Sequence, residues 1–257
     1  QMARGIDQTV REVCLWLPEA EEFLSHGSPN FRVRGKTFAT YVINHHGDGR
    51  VALWLNAPPG SQELHVRTQP EHFFVPPYVG PRGWLGVILD HGIDWNRVAA
   101  LVREAYEKVA PPNLKQCIGK TPKVKAASKA LRASRIDPFK SPRARAVLKK
   151  MRTICLKFQE SSEARQFGSP AWLAGKRTFA IARYAADRLT LCFWVGVDQQ
   201  GLLTADSRYQ VPPYIGHNGW IALDVSATCD WDEVEGLALL SYRHFALQRM
   251  LRQFGQD

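Results

Sequence analysis

The stretch Gly27-Ser28-Pro29-Asn30-Phe31-Arg32-Val33-Arg34-Gly35-Lys36-Thr37-Phe38-Ala39 returns 141 residues later as Gly168-Ser169-Pro170-Ala171-Trp172-Leu173-Ala174-Gly175-Lys176-Arg177-Thr178-Phe179-Ala180, identical at six of thirteen positions. A second block, Val75-Pro76-Pro77-Tyr78-Val79-Gly80-Pro81-Arg82-Gly83-Trp84, returns at an offset of 136 as Val211-Pro212-Pro213-Tyr214-Ile215-Gly216-His217-Asn218-Gly219-Trp220. Asp94-Trp95 and Tyr106 follow at that same offset as Asp230-Trp231 and Tyr242. The matches are collinear, and solenoid units repeat at only about 20–50 residues, so the spacing predicts two copies of one domain.

Working outward, each copy opens on an amphipathic helix. Val10, Val13, Cys14 and Leu17 share one helical face, and Val147, Met151, Ile154, Cys155 and Phe158 repeat the spacing. Gly27-Ser28-Pro29 breaks the chain, and residues 31–33, 36–43 and 51–56 read as strands, the first two joined at Arg34-Gly35. Short polar helices are expected near 61–68 and 202–207, a last strand at 85–89 or 221–225, and a closing helix capped by Asp94 or Asp230. The expected fold class is α+β: two tandem domains, each an antiparallel sheet packed by helices in the order α-β3-α-β(1-2)-α. Their bounds are 1–110 and 147–257, with a connector at 111–146.

GxPxF, then GKxFA, then VPPYxGxxGW, then DW opening a terminal helix, resembles the MmcQ/YjbR family, here as a tandem pair covering about residues 8–112 and 146–254. The resemblance implies a double-wing or CyaY-like α+β fold, DNA binding and no catalytic residues. Copy two departs from the pattern at Gly175-Lys176, one position early relative to Gly35-Lys36, so its hairpin turn is expected to differ.

Charge concentrates outside the repeats. The chain of 257 residues carries a net +10. Residues 1–110 hold 11 basic and 12 acidic side chains, and residues 147–257 hold 13 and 11. The connector holds Lys115, Lys120, Lys123, Lys125, Lys129, Arg132, Arg135, Lys140, Arg143 and Arg145 against Asp137 alone. Cations at this density release counterions from phosphate polymers, which makes the connector the best candidate for nucleic-acid contact, DNA ahead of RNA. The alternative is a solvated linker kept extended by self-repulsion. Residues 123–135 are also expected to become helical on binding.

In copy one Arg32, Arg34 and Lys36 alternate across the first hairpin, as if on one strand face, while Lys176 and Arg177 flank the corresponding turn. A basic two-stranded ribbon fits a DNA groove, though alternation is equally the ordinary pattern of a half-buried strand. Tyr78, Trp84, Tyr214 and Trp220 belong to the Pro-Pro-Tyr segments, which read either as rigid lids with rings packed down or as the walls of a cleft for a planar small molecule.

No Walker loop, GxGxxG, HExxH or GxSxG occurs. Ser28 and Ser169 read as turn residues, His45-His46 as an exposed turn with metal binding as the alternative, and no cofactor is expected. The five Cys lack a CxxC pair, so reduced thiols are expected, with Cys14 and Cys155 in the core. The sequence therefore predicts a non-enzymatic binding protein that is cytoplasmic, makes no membrane contact and is pseudo-dimeric within one chain.

Overall fold

The structure is a computed structural model that describes residues 4–254. The chain forms two compact units that divide between Ile136 and Asp137. Each is α+β, a six-stranded antiparallel sheet with helices packed on it.

In the first unit the order is α1 (Ile6–Leu15), β1 (Glu21–Ser25), β2 (Ser28–Val33), β3 (Lys36–Ile43), β4 (Val51–Leu55), α2 (Ser61–Thr68), β5 (Phe73–Phe74), β6 (Leu85–Ile88) and α3 (Trp95–Val109). The strands lie side by side as β1-β2-β3-β4-β6-β5. Ile6, Val10, Val13 and Cys14 on α1 and Val98, Leu101, Val102, Ala105 and Tyr106 on α3 bury one face of this sheet with Phe31, Phe38, Leu53 and Val87. The helical period read from the sequence places these residues inward. Asp94 caps α3 by accepting from the Asn96 backbone N–H at 3.0 Å. The opposite face holds a smaller cluster of Val42, Ala52, Trp54, Phe74, Trp84 and Ile88.

The second unit runs α6 (Pro142–Cys155), β7 (Ser161–Gln166), β8 (Ser169–Ala174), β9 (Arg177–Ala185), β10 (Arg188–Trp194), α7 (Val197–Leu203), β11 (Tyr209–Gln210), β12 (Trp220–Asp224) and α8 (Trp231–Phe245). Its sheet order, β11-β12-β10-β9-β8-β7, is that of the first unit read from the other edge. Both units carry a register irregularity at the same place, between Phe31 and Arg32 and between Trp172 and Leu173. Tyr106 and Tyr242, fully buried, each donate a 2.6 Å hydrogen bond to a carbonyl that follows the first helix, Pro18 and Gln159.

Several elements differ from the sequence reading. Gly27 and Gly168 do not end the chain's first structured stretch but turn hairpins: His26-Gly27 and Phe167-Gly168 have positive φ and join β1 to β2 and β7 to β8. The sequence hides β1 and β7 because they are edge strands that bury no alternating apolar face. They are tied down instead by bidentate pairs from the first helix of each unit, Arg11 to Glu22 and Arg152 to Glu163. The expected helix at 202–207 lies earlier, at Val197–Leu203, starting directly after Gly196.

Residues 111–146 are shared between the units. Residues 111–136 form a strap on the first unit through α4 (Pro112–Gln116) and α5 (Ala133–Ile136). Leu114 and Val124 are buried in that unit's core, and Ile118, Ala127, Leu131 and Ile136 pack against it. Polar contacts repeat the attachment: Val124 N–H donates to Asn96 Oδ1 at 3.0 Å, Ser128 and Lys129 N–H donate to the Arg4 carbonyl at 3.1 Å, and Arg103 reaches the Gly119 carbonyl at 3.2 Å. Helix within 123–135 is confined to α5, because burying Val124 and bonding residues 124, 128 and 129 to other segments fixes the rest as non-helical chain. Residues 137–146 belong to the second unit. Phe139 is buried there, and Ser141 caps α6 ahead of Pro142 at its first position.

Candidate functional site

Counted by unit, the positive charge is spread more evenly than the repeats suggested: the first holds 18 basic and 12 acidic residues, the second 16 and 12. Within the strap, Lys115, Lys120, Lys123, Lys125, Lys129, Arg132 and Arg135 are all exposed. Arg135 stands 3.8 Å from Asp7, whose other oxygen accepts from Tyr41 OH at 2.6 Å. None of the other six forms an ion pair among the described residues. Lys123 and Lys125 flank the buried Val124, so the same backbone that anchors the strap turns its cations outward. In the second unit Lys140 and Arg145 are exposed, while Arg143 spends its guanidinium on the Val225 carbonyl at 2.8 and 2.9 Å.

The first hairpin does not present Arg32, Arg34 and Lys36 on one strand face. Arg34 and Gly35 are the turn itself, both at positive φ, and only Arg32 and Lys36 lie in strands. Arg32 pairs with Glu21 at 2.8 Å and covers the Phe23 ring at 4.5 Å, and Arg34 pairs with Glu19. Lys36 is exposed and, with Arg34 and residues 108–113, lines an open cleft of about 600 Å³. In the second unit Gly175 has positive φ and Lys176 does not, so the turns differ as expected. The hairpin length is nonetheless the same, since Ala174 pairs with Arg177 as Val33 pairs with Lys36. Lys176 and Arg177 are exposed.

The Pro-Pro-Tyr segments divide the two readings between their residues. Trp84 and Trp220 are packed down on the sheet, whereas Tyr78 and Tyr214 are 68% and 79% exposed and held at φ of +63° and +69°. A non-glycine residue in that region costs of order 1–3 kcal/mol and persists only where its surroundings impose it. Gly80 and Gly216 lie against Val75 and Val211, whose Cγ1 atoms would meet an added Cβ at 2.5 and 2.3 Å. One residue per unit fastens the segment from below. Gln62 Nε2 donates to the carbonyls of Gly80 (2.8 Å) and Trp84 (2.5 Å), and Gln200 Nε2 to those of Gly216 (2.6 Å) and Trp220 (2.8 Å). These glutamines escape a motif search because they are single residues between the matched blocks. Their offset of 138, between 141 and 136, is the signal that identifies them.

Above Tyr78 the first unit has a loop that the second lacks. Seven residues separate the paired Ile43 and Val51, against four between the paired Tyr184 and Leu189. In the longer loop His46 Nε2 hydrogen-bonds Tyr78 OH at 2.9 Å, and His45 stands edge-on to Trp54 with ring centroids 5.0 Å apart. Burial is the main cause that pulls the His45 pKa below its ordinary value, with His46 adding to it. The pair lies in a surface turn with His46 exposed, as expected, and its rings pack at the edge of an aromatic cluster. No group of three or more His, Cys, Asp or Glu able to hold a metal occurs among the described residues.

The second unit leaves a hollow of about 230 Å³ on the same sheet face, lined by Arg183, Thr190, Cys192, Gln210, Ala222 and the segment Val211–Tyr214, among others. Burial pushes the Cys192 thiol up to about 11, against the lowering effect of Arg183 and Thr190, so it is neutral near pH 7. Cys14 and Cys155 are buried as expected, and their thiols too are raised by burial.

No helix among the described residues is long and apolar enough to cross a membrane. Residues 15–108 match the family model described as YjbR. Among solved structures, a Deinococcus radiodurans protein with a DUF419 domain is similar at 20% sequence identity and a TM-score of 0.37, the match covering 50% of this chain and 97% of that one. No curated protein matches the chain. The family match begins at the end of α1 and runs through α3, so the first unit of this chain carries a YjbR-family domain.

Proposed function

We propose that the protein binds duplex DNA without catalysis, using the strap at residues 115–132 as its main phosphate-contacting surface. The observation that carries this reading is the combination of six exposed, unpaired cations with a backbone already fixed to the first unit. A flexible basic linker loses conformational freedom when it binds, of order 1–2 kcal/mol for each backbone residue fixed. A strap anchored through Leu114 and Val124 has met most of that cost in folding, so more of its electrostatic attraction appears as affinity. Lys36, Lys176 and Arg177 are available for further phosphate contacts, while Arg32 and Arg34 are engaged by Glu21 and Glu19.

The test is fluorescence anisotropy of a labelled duplex of about 20 base pairs with the full chain and with a variant carrying glutamine at Lys115, Lys120, Lys123, Lys125, Lys129 and Arg132. Saturable binding that weakens at least tenfold in the variant is expected. Equal affinity of the two proteins, or no binding at low salt, would refute the proposal. Preference for single-stranded RNA of equal length would reassign the strap to another polymer.

A further inference from the structure

The two sheets can be superimposed row by row from their pairing registers. In the first unit one cross-strand row runs Thr40, Trp54, Gly86 and Phe74; in the second its counterpart runs Ile181, Cys192, Ala222 and Gln210. The next row runs Val42, Ala52 and Ile88 in the first unit and Arg183, Thr190 and Asp224 in the second. Two large aromatic rings have thus been exchanged for Cys and Gln, and two aliphatic residues, Val42 and Ile88, for Arg and Asp. Gly86 shows how completely the first unit fills this face, since an added Cβ there would meet the Phe74 ring at 2.5 Å. In the second unit the same volume is the 230 Å³ hollow.

Its chemistry is asymmetric. The floor is the sheet, with Cys192 fully buried and Ala222 beside it, and the roof is Val211-Pro212-Pro213-Tyr214. A gap between a pleated sheet and a proline-rich segment suits a flat apolar body. At one side stands the Arg183 guanidinium, which donates a long hydrogen bond to the Pro213 carbonyl at 3.4 Å. It pairs with no carboxylate among the described residues. Asp224 in the same row is taken up by Arg188 at 3.2 Å and by the Ser226 backbone N–H at 2.9 Å. Thr190 donates to the Arg183 carbonyl at 3.2 Å and fixes that strand beside the cavity. The roof also lacks a counterpart of the histidine loop that holds Tyr78 in the first unit, which is reduced here to a turn at Ala186-Asp187.

We infer that the second unit binds a small planar carboxylate in this hollow, its ring between the sheet and the Pro212-Pro213 roof and its carboxylate on Arg183. Guanidinium matches carboxylate in a planar, two-point geometry, and no acidic side chain lines the cavity to favour a cation. The volume is below the roughly 300–1,000 Å³ of sites for drug-sized molecules, which limits the occupant to about one ring. The first unit, filled by Trp54 and Phe74, binds no such ligand, so the stoichiometry is one per chain.

Benzoate is the probe, titrated into isotope-labelled full-length protein and followed by amide chemical shifts, with benzamide and inorganic phosphate as controls. Benzoate is expected to shift Arg183, Cys192, Gln210 and Ala222 in a saturable way and to leave Val42, Trp54 and Phe74 unmoved. Benzamide, which lacks the charge, and phosphate, which lacks the ring, should each bind at least tenfold more weakly. Arg183→Gln should weaken benzoate by a similar factor. The double variant Gln210→Phe/Ala222→Gly, which transplants the Phe74–Gly86 pair into the hollow, should keep the melting temperature at or above wild type and lose the ligand. Shifts spread evenly over both units, benzamide binding as well as benzoate, phosphate binding as well as benzoate, or retention of benzoate by the filled variant would each overturn the inference, as would the absence of any shift.

Discussion

Val124→Ala isolates the contribution of the strap's central anchor. Val124 is 6% exposed, its amide is bonded to Asn96 Oδ1, and its neighbours in sequence are the exposed Lys123 and Lys125. Removing the equivalent of two buried methylene groups, at about 0.8 kcal/mol each, costs about 1.5 kcal/mol, with little added by a cavity so close to the surface. That loss falls on local detachment of the strap rather than on global unfolding, because the sheet and α3 do not depend on it for their hydrogen bonds. At 1.4 kcal/mol per factor of ten, the amides of Val124, Ser128 and Lys129 should exchange with solvent about tenfold faster. Those of β3 and β4 should be unchanged. Native-state hydrogen exchange read by NMR resolves the two sets. If the three strap amides in the wild type already exchange at the rate of an unstructured chain, the strap is not docked and the reasoning fails. It fails equally if the variant lowers protection uniformly.

Tyr106→Phe and Tyr242→Phe each remove a part-buried hydrogen bond, at about 0.5–1.5 kcal/mol, and should lower the melting transition of the affected unit by about 2–6 °C in calorimetry. Gln62→Ala removes donors from two carbonyls at once and should cost roughly 2–4 kcal/mol in stability, with a change in Trp fluorescence as Trp84 loses its support; Gln200→Ala should do the same to Trp220. His45 has a lowered pKa in the folded protein, so the unfolded chain binds the extra proton first as pH falls. Its contribution is therefore present above about pH 6.5 and is lost as pH drops through the folded value, and thermal melts at pH 7.5 and 5.5 should show a smaller difference for the first unit in His45→Phe than in wild type.

Much of the fold was legible because its signals are local. The period of Val10, Val13 and Cys14 marks α1, Asp94 and Asp230 cap the closing helices they precede, and in each Pro-Pro-Tyr block the first glycine lies against a valine side chain while the second takes a positive φ. The edge strands were not legible, since residues 161–166 have no buried alternation and gain their place through Arg152 and Glu163. Nor was the docking of the strap. Its composition is that of a solvated linker, and the anchors are isolated apolar residues such as Leu114 and Val124 whose partners lie elsewhere in the unit. The hollow in the second unit was beyond reach for a related reason. Arg183, Thr190, Cys192, Gln210 and Ala222 come from four strands, and only their register brings the substitutions of Trp54 and Phe74 into one volume. Tyr78 and Tyr214 stand out in the sequence within their Pro-Pro-Tyr blocks, but their outward, left-handed conformation depends on the folded segment around them.

The central claim is that the strap's six unpaired cations meet DNA phosphates, and the slope of log affinity against log salt concentration measures it most directly. Six phosphate contacts correspond to a slope of about −5, since each contributes about −0.9 on B-form DNA. Replacing Lys115, Lys120, Lys123, Lys125, Lys129 and Arg132 by glutamine should remove about 5 from the magnitude of the slope, while glutamine at the equally exposed Lys149 and Lys150 of α6 should leave it nearly unchanged. A wild-type slope near zero, or a steep slope that survives loss of the six strap cations, would contradict the account.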